Sequence, residues 1–211
     1  MTCSLCDSRK SKRYCPALRS QICPQCCGKE REETIACALD CPYLNESRRH
    51  EKSQGLHPKD FPHKEIRITD SFLAQREELL NAAARFLLAA AMQVPGTVDR
   101  DVREALDAQA RTYKTLESGV LYQTLPDSPV AQAVLADVQG KLEEFRRQES
   151  AQAGFVRTRD ADVLGILVFL LRMAIDRDNG RKLGRSFIHF LRGHFQPGEA
   201  VAQQPSLITP G

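Results

Sequence analysis

From Asp70 onward the chain alternates between apolar and polar positions with a helical period. Phe72, Leu79 and Phe86 recur every seven residues with Leu73, Leu80 and Leu87 beside them, an apolar stripe that one helix would bury and Val94-Pro95-Gly96 would end. A second stripe, Val102, Leu106, Tyr113, Leu116 and Val120, predicts a helix capped at its start by Asp99. Ser128-Pro129 supplies a cap and a first-turn proline for a third helix bearing Val130, Val134, Val138, Leu142 and Phe145. A fourth, Arg159 to Asp178, is apolar on nearly every side from Val163 to Leu171, which marks a helix surrounded by others. Asn179-Gly180 ends it. A fifth runs from Arg181 to Phe195, turning Leu183, Phe187, Phe190, Leu191 and Phe195 inward and leaving Arg181, Lys182, Arg185, His189 and Arg192 on a solvated face. Strand-like alternation is missing after residue 64, so the pattern predicts a mainly α chain ending in a bundle of about five helices.

The first part of the chain has no such stripe. It holds all eight cysteines, between Cys3 and Cys41. Cys3-x2-Cys6 and Cys23-x2-Cys26 are separated by sixteen residues, the spacing of two knuckles sharing one zinc ion. Each pair sets two thiolates one tight turn apart, so both reach an ion about 2.3 Å away and two turns complete a tetrahedron. Cys15, Cys27, Cys37 and Cys41 then suffice for a second site. The Cys26-Cys27 doublet would serve two different ions or leave one thiol free, because adjacent side chains diverge. The alternative pairing uses Cys23-x3-Cys27 to match Cys37-x3-Cys41. The expected cofactor is zinc, two ions per chain, in a small treble-clef or ribbon-like module that cannot fold without metal. His50, His57 and His63 are spare ligands at most and read as surface residues. Cys41-Pro42 predicts a helix start at the last cysteine. Iron–sulfur ligation ranks behind zinc because the runs do not match ferredoxin spacings.

The boundaries follow: a cysteine-rich module over 1–52, a linker over 53–68 marked by two prolines and a glycine, a bundle over 69–196, and a proline-bearing disordered tail over 197–211. Composition changes this picture little. At 42% hydrophobic and 27% charged, the chain has the make-up of an ordinary soluble protein. No signal segment follows Met1 and no apolar run is long enough to span a bilayer, so the expected location is the cytoplasm, where thiols persist as metal ligands. The formal charge of +3 is offset once bound thiols are deprotonated, which weakens any nucleic-acid argument from global charge.

Four-thiolate zinc sites are closed and structural, whereas catalytic zinc keeps a position open. Phosphate-cradling glycine loops, nucleophile elbows and H-E-x-x-H are missing from the sequence. The expectation is a protein without enzymatic activity that binds a macromolecular partner as an adaptor or regulator, with protein ranked ahead of nucleic acid. The candidate partner surface is Arg9, Lys10, Lys12, Arg13, Tyr14, Arg48 and Arg49, since a basic loop with an aromatic can hold phosphate and stack a base. Exposed charge on a small module is the plainer reading of the same residues. A site between the domains, a ubiquitin-ligase-like role and a redox sensor rank lower.

The runs Arg13-Tyr14-Cys15-Pro16, Ile22-Cys23-Pro24-Gln25-Cys26-Cys27-Gly28 and Cys41-Pro42-Tyr43-Leu44 resemble the start of an uncharacterised bacterial family. The resemblance continues through Thr115-Leu116-Glu117-Ser118-Gly119 to Phe190-Leu191-Arg192. It implies bacterial origin and no particular activity. The order of cysteine pairs is also similar to cross-braced fingers of the HIT and RING types, from which Cys15 departs because it lacks a C-x2-C partner.

Overall fold

The computed structural model describes residues 1–51 and 60–195. His57 and the tail after Gln196 lie outside them. The chain is mainly helical with a small cysteine-rich N-terminal region. That region contains a two-stranded antiparallel hairpin, β1 (Arg13–Cys15) and β2 (Ser20–Ile22). Arg19, with φ at 50°, turns the chain between them. Two short helices follow, α1 (Pro24–Glu30) and α2 (Pro42–Arg48), each with proline in its first turn. A six-residue helix α3 (Asp70–Gln75) then leads into α4 (Glu77–Gln93), α5 (Asp99–Glu117), α6 (Pro129–Ala153), α7 (Asp160–Asp176) and α8 (Ser186–His194). Among the described residues no helix is long and apolar enough to cross a membrane.

The bundle is centred on α7, whose Val163, Leu164, Ile166, Leu167, Val168, Leu170 and Leu171 are all buried. This is the all-round apolar segment, and α5 packs most extensively against it. The connection after α5 folds back along that helix: the Thr124 amide donates to Thr112 Oγ1 (3.0 Å) and Ser128 Oγ to Asp101 Oδ1 (2.8 Å). As a result α6 starts beside the start of α5. Ser128 caps α6 as its position before Pro129 requires, its Oγ accepting from the Ala131 amide.

Several helix boundaries differ from the sequence reading, among them the end of α5, which stops at Glu117 and leaves Val120 exposed beyond it. The heptad through Phe72 and Leu79 spans a break at Arg76, where φ is −120° and ψ 23°, and the Arg76 guanidinium reaches buried Asp162 on α7 (2.9 Å). Asp99 is the first residue of α5 and not its cap; Val98 holds that place, and Asp101 accepts from the Val98 amide (3.1 Å). The last helix starts at Ser186 and not at Arg181, because the preceding amides are drawn elsewhere. Leu183 N donates to the Glu32 carbonyl (2.7 Å) and Arg185 N to Glu32 Oε1 (3.0 Å).

Residues 60–68 are irregular, as the prolines imply, yet they lie on the bundle. Arg172 donates to the carbonyls of Pro62, His63 and Ile66. His63 is a half-buried partner of Asp107 (3.0 Å) rather than a surface residue. The cysteine region also packs onto the bundle: Leu39 belongs to the same buried cluster as α4 to α8. Glu32 makes the polar part of that junction. It is fully buried, and its carboxylate accepts from Arg48 Nη2 (2.7 Å), Asn179 Nδ2 (2.9 Å) and the Arg185 amide.

Candidate metal centre

The cysteine region starts with a tight turn. Cys3 N donates to the Arg9 carbonyl (2.8 Å) and Asp7 N to the Cys3 carbonyl (2.9 Å), with Asp7 at φ 50° closing the knuckle. The hairpin then carries the chain to Cys23, the N-cap of α1, and Cys26 follows in the first turn of that helix. Knuckle, hairpin and helix start thus converge. The Sγ atoms of Cys3, Cys6, Cys23 and Cys26 all lie within 4.8 Å of one another. A tetrahedron of sulfurs about 2.3 Å from zinc has edges of about 3.8 Å, so modest tightening would close this group around an ion. Cys3 and Cys23 are buried and Cys6 and Cys26 half-buried, which leaves the site at the surface of its module.

Backbone donors support negative charge there. The Cys23 amide donates to Cys3 Sγ (3.1 Å) and the Cys26 amide to Cys23 Sγ (3.4 Å). The Ser8 hydroxyl and amide pull the Cys6 thiol down to about 5, and the Cys26 amide lowers Cys23. Cys26 moves the other way, up to about 12, because it bonds to Cys23 and shares the burial and the charge of the tetrad. Four sulfurs this close cannot all be anionic unless a cation joins them. An ion binding here would expel the thiol protons that remain.

The other four cysteines, Cys15, Cys27, Cys37 and Cys41, line one narrow cavity with Ile22, Ile35 and Tyr43. Burial pushes the Cys37 thiol up, the Glu32 backbone opposes this, and the charges of Glu32, Cys41 and Cys15 add to it. Among the described residues only the first foursome brings its sulfurs within 4.8 Å. The doublet diverges as expected: Cys26 joins the first group, whereas Cys27 faces the second and accepts from Arg13 Nη1 (3.4 Å). Cys41 does precede a helix with Pro42 at its start, but its side chain makes no cap bond.

The seven candidate partner residues separate. Arg9 lies 4.0 Å from Cys26 Sγ, and Arg13 contacts Cys27 while its guanidinium lies 4.6 Å from the centre of the Tyr43 ring. Arg48 is held inside by Glu32, with 6% of its side chain exposed. Lys10, Lys12, Tyr14 and Arg49 remain exposed. His50 is exposed beside Glu46 (3.6 Å). The sequence reading missed Glu32, Arg181 and Arg185. The latter two, assigned to a solvated face, turn toward the cysteine region, where Arg181 donates to the carbonyls of Arg31 and Gly28. Only their shared spacing with His189 hinted at a common direction.

Fold and site together define a class: a mainly helical chain carrying a four-cysteine group able to hold a metal ion. Family models, curated proteins and solved structures gave no match to it.

Proposed function

We propose that the chain is a zinc protein without catalytic activity, in which a two-zinc module and a helical bundle together present a surface to a protein partner. The observation that carries this reading is the convergence of the Cys3, Cys6, Cys23 and Cys26 sulfurs. A donor set of four thiolates suits zinc, closes its coordination shell and leaves no position for substrate. The second ion would sit among Cys15, Cys27, Cys37 and Cys41, which already share one cavity. Arg9 and Arg13, beside the sulfurs, would balance their charge, and this favours a protein partner over nucleic acid. The nucleic-acid alternative keeps Lys10, Lys12 and Tyr14 as its contact residues.

Elemental analysis of protein purified without added metal tests the core of this reading. Two zinc per chain in a colourless sample is the expected result. Iron with visible absorption would overturn the zinc assignment, and one zinc per chain would overturn the second site. Chelation should unfold residues 1–51, seen as loss of their dispersed amide resonances. For the partner, binding that survives high salt and the charge reversal of Lys10 and Lys12 fits protein, whereas steep salt dependence fits nucleic acid.

A further inference from the structure

A second feature lies between the two parts of the molecule. The C-terminal end of α2 and the outer side of α8 face each other across a cleft of about 450 Å3, within the span of small-molecule sites. Asn45, Arg48 and Arg49 line one wall, and Arg177, Ser186 and His189 the other. Three guanidinium groups thus meet at the cleft: Arg48 pairs with Glu32 behind it (2.7 Å) and Arg49 with Glu46 at its rim (3.1 Å), while the one carboxylate in the lining, Glu51, accepts from Ser186 Oγ (2.9 Å).

The polar atoms of this cleft are incompletely used. Arg48 spends Nη2 on Glu32, but its buried Nε and Nη1 have no partner, and Asn45 Oδ1 and His189 Nδ1 are likewise buried and unpartnered. Orphaned buried donors are destabilising unless something meets them. Structural ion pairing explains Arg48 Nη2 and leaves its other two nitrogens unexplained. Groups from two separate segments converge on one concave space, and the donors among them are cationic. An anion with further hydrogen-bonding groups would suit such a lining.

We infer that this cleft binds a phosphorylated small molecule, its phosphate held by Arg48, Arg49 and Arg177 and its neutral polar groups by Asn45 and His189. Phosphate suits the site because several guanidinium donors can share its oxygens. The cleft volume of about 450 Å3 matches a small ligand, and a polymer, which would follow a longer track with its backbone, is the alternative the test below separates. Bound between α2 and α8, the ligand would bridge the cysteine region and the bundle and hold them together. This inference stands apart from the metal assignment, although it uses the folded module.

His189 provides a local reporter. Burial lowers its pKa, the charges of Arg48 and Arg192 lower it further, and Glu32 and Glu51 partly oppose them. A phosphate placed beside it would raise that value. The test uses the full chain with its purified metal complement and follows the His189 ring resonance by NMR, assigned with His189→Gln. Pyrophosphate and ADP are the probes, with sodium chloride at matched ionic strength and a short single-stranded DNA as controls. The expected result is a saturable shift with either probe, an upward move of the His189 pKa and a higher melting temperature. Arg49→Gln, whose side chain is 77% exposed, and Arg177→Gln should each weaken binding by roughly tenfold with metal content unchanged. No shift with the metal content intact would overturn the site, as would an equal response to chloride or unweakened binding by both variants. Binding of the DNA without either probe would overturn the small-ligand assignment. Loss of metal with retained probe binding would count against the metal reading alone.

Discussion

Glu32 holds three donors at once and has no exposed surface. Removing a buried partner leaves the opposite charge stranded, so Glu32→Ala should destabilise the chain by about 3–5 kcal/mol. Glu32→Gln, which keeps the shape, should cost about 1–3 kcal/mol. Denaturant midpoints would check both, and an unchanged Glu32→Ala would refute the junction as described. Asp99 makes a different prediction. Its carboxylate accepts from the Phe187 and Ile188 amides (2.8 and 3.1 Å) at the start of α8, yet burial outweighs these bonds and raises its pKa to about 7. The folded chain therefore keeps a proton that the unfolded chain releases near pH 4, and the stability this contributes is lost as pH rises through about 7. The advantage of the parent over Asp99→Asn should shrink between pH 5 and pH 8, and a constant difference would sink the assignment. Neither role was legible in the sequence. Asp99 read as a helix cap and Glu32 carried no signal, since burial by a distant segment leaves no local pattern.

At the scale of elements, periodicity carried most of the information. The helices now numbered α4 to α8 follow from apolar spacing, and Ser128 from its place before a proline. The break at Arg76 was invisible because the heptad continues through it, while the Arg76 guanidinium is directed to Asp162 on another helix. The shortened start of α8 was hidden for the same reason, its amides being claimed by Glu32. Gly165 on α7 shows a further constraint. A methyl group there would lie 2.5 Å from Phe72 Cζ on α3, so the glycine admits that ring. Gly165→Val should cost about 1–3 kcal/mol through overpacking, and Phe72→Ala should remove most of that penalty in a double-mutant cycle. Independent, additive effects in thermal melts would show that the two residues do not touch.

For the whole molecule, the cysteine spacing made the first foursome legible, because two C-x2-C turns are local features. The packing of the module on the bundle was not: the sequence shows a proline-bearing linker, while the contacts that join the parts come from Leu39, Glu32, Arg181 and the loop before α8. Such residues are ordinary in isolation and gain meaning only from their distance in the chain. The coupling predicts that metal removal is felt beyond the cysteines. On chelation, amide exchange should quicken for Leu183 and Arg185, whose bonds end on Glu32, and protection unchanged there would mean that the junction persists without the module's fold.

Leu39 has one more consequence. It sits in the core of the bundle although it precedes the connecting segment, much as a peg from one piece seats in a socket of another. Covalent continuity between the pieces is then not what holds them. A chain cut at a protease site inserted between Glu51 and Asp60 should behave as a split protein, its halves eluting together as one species until denaturant parts them.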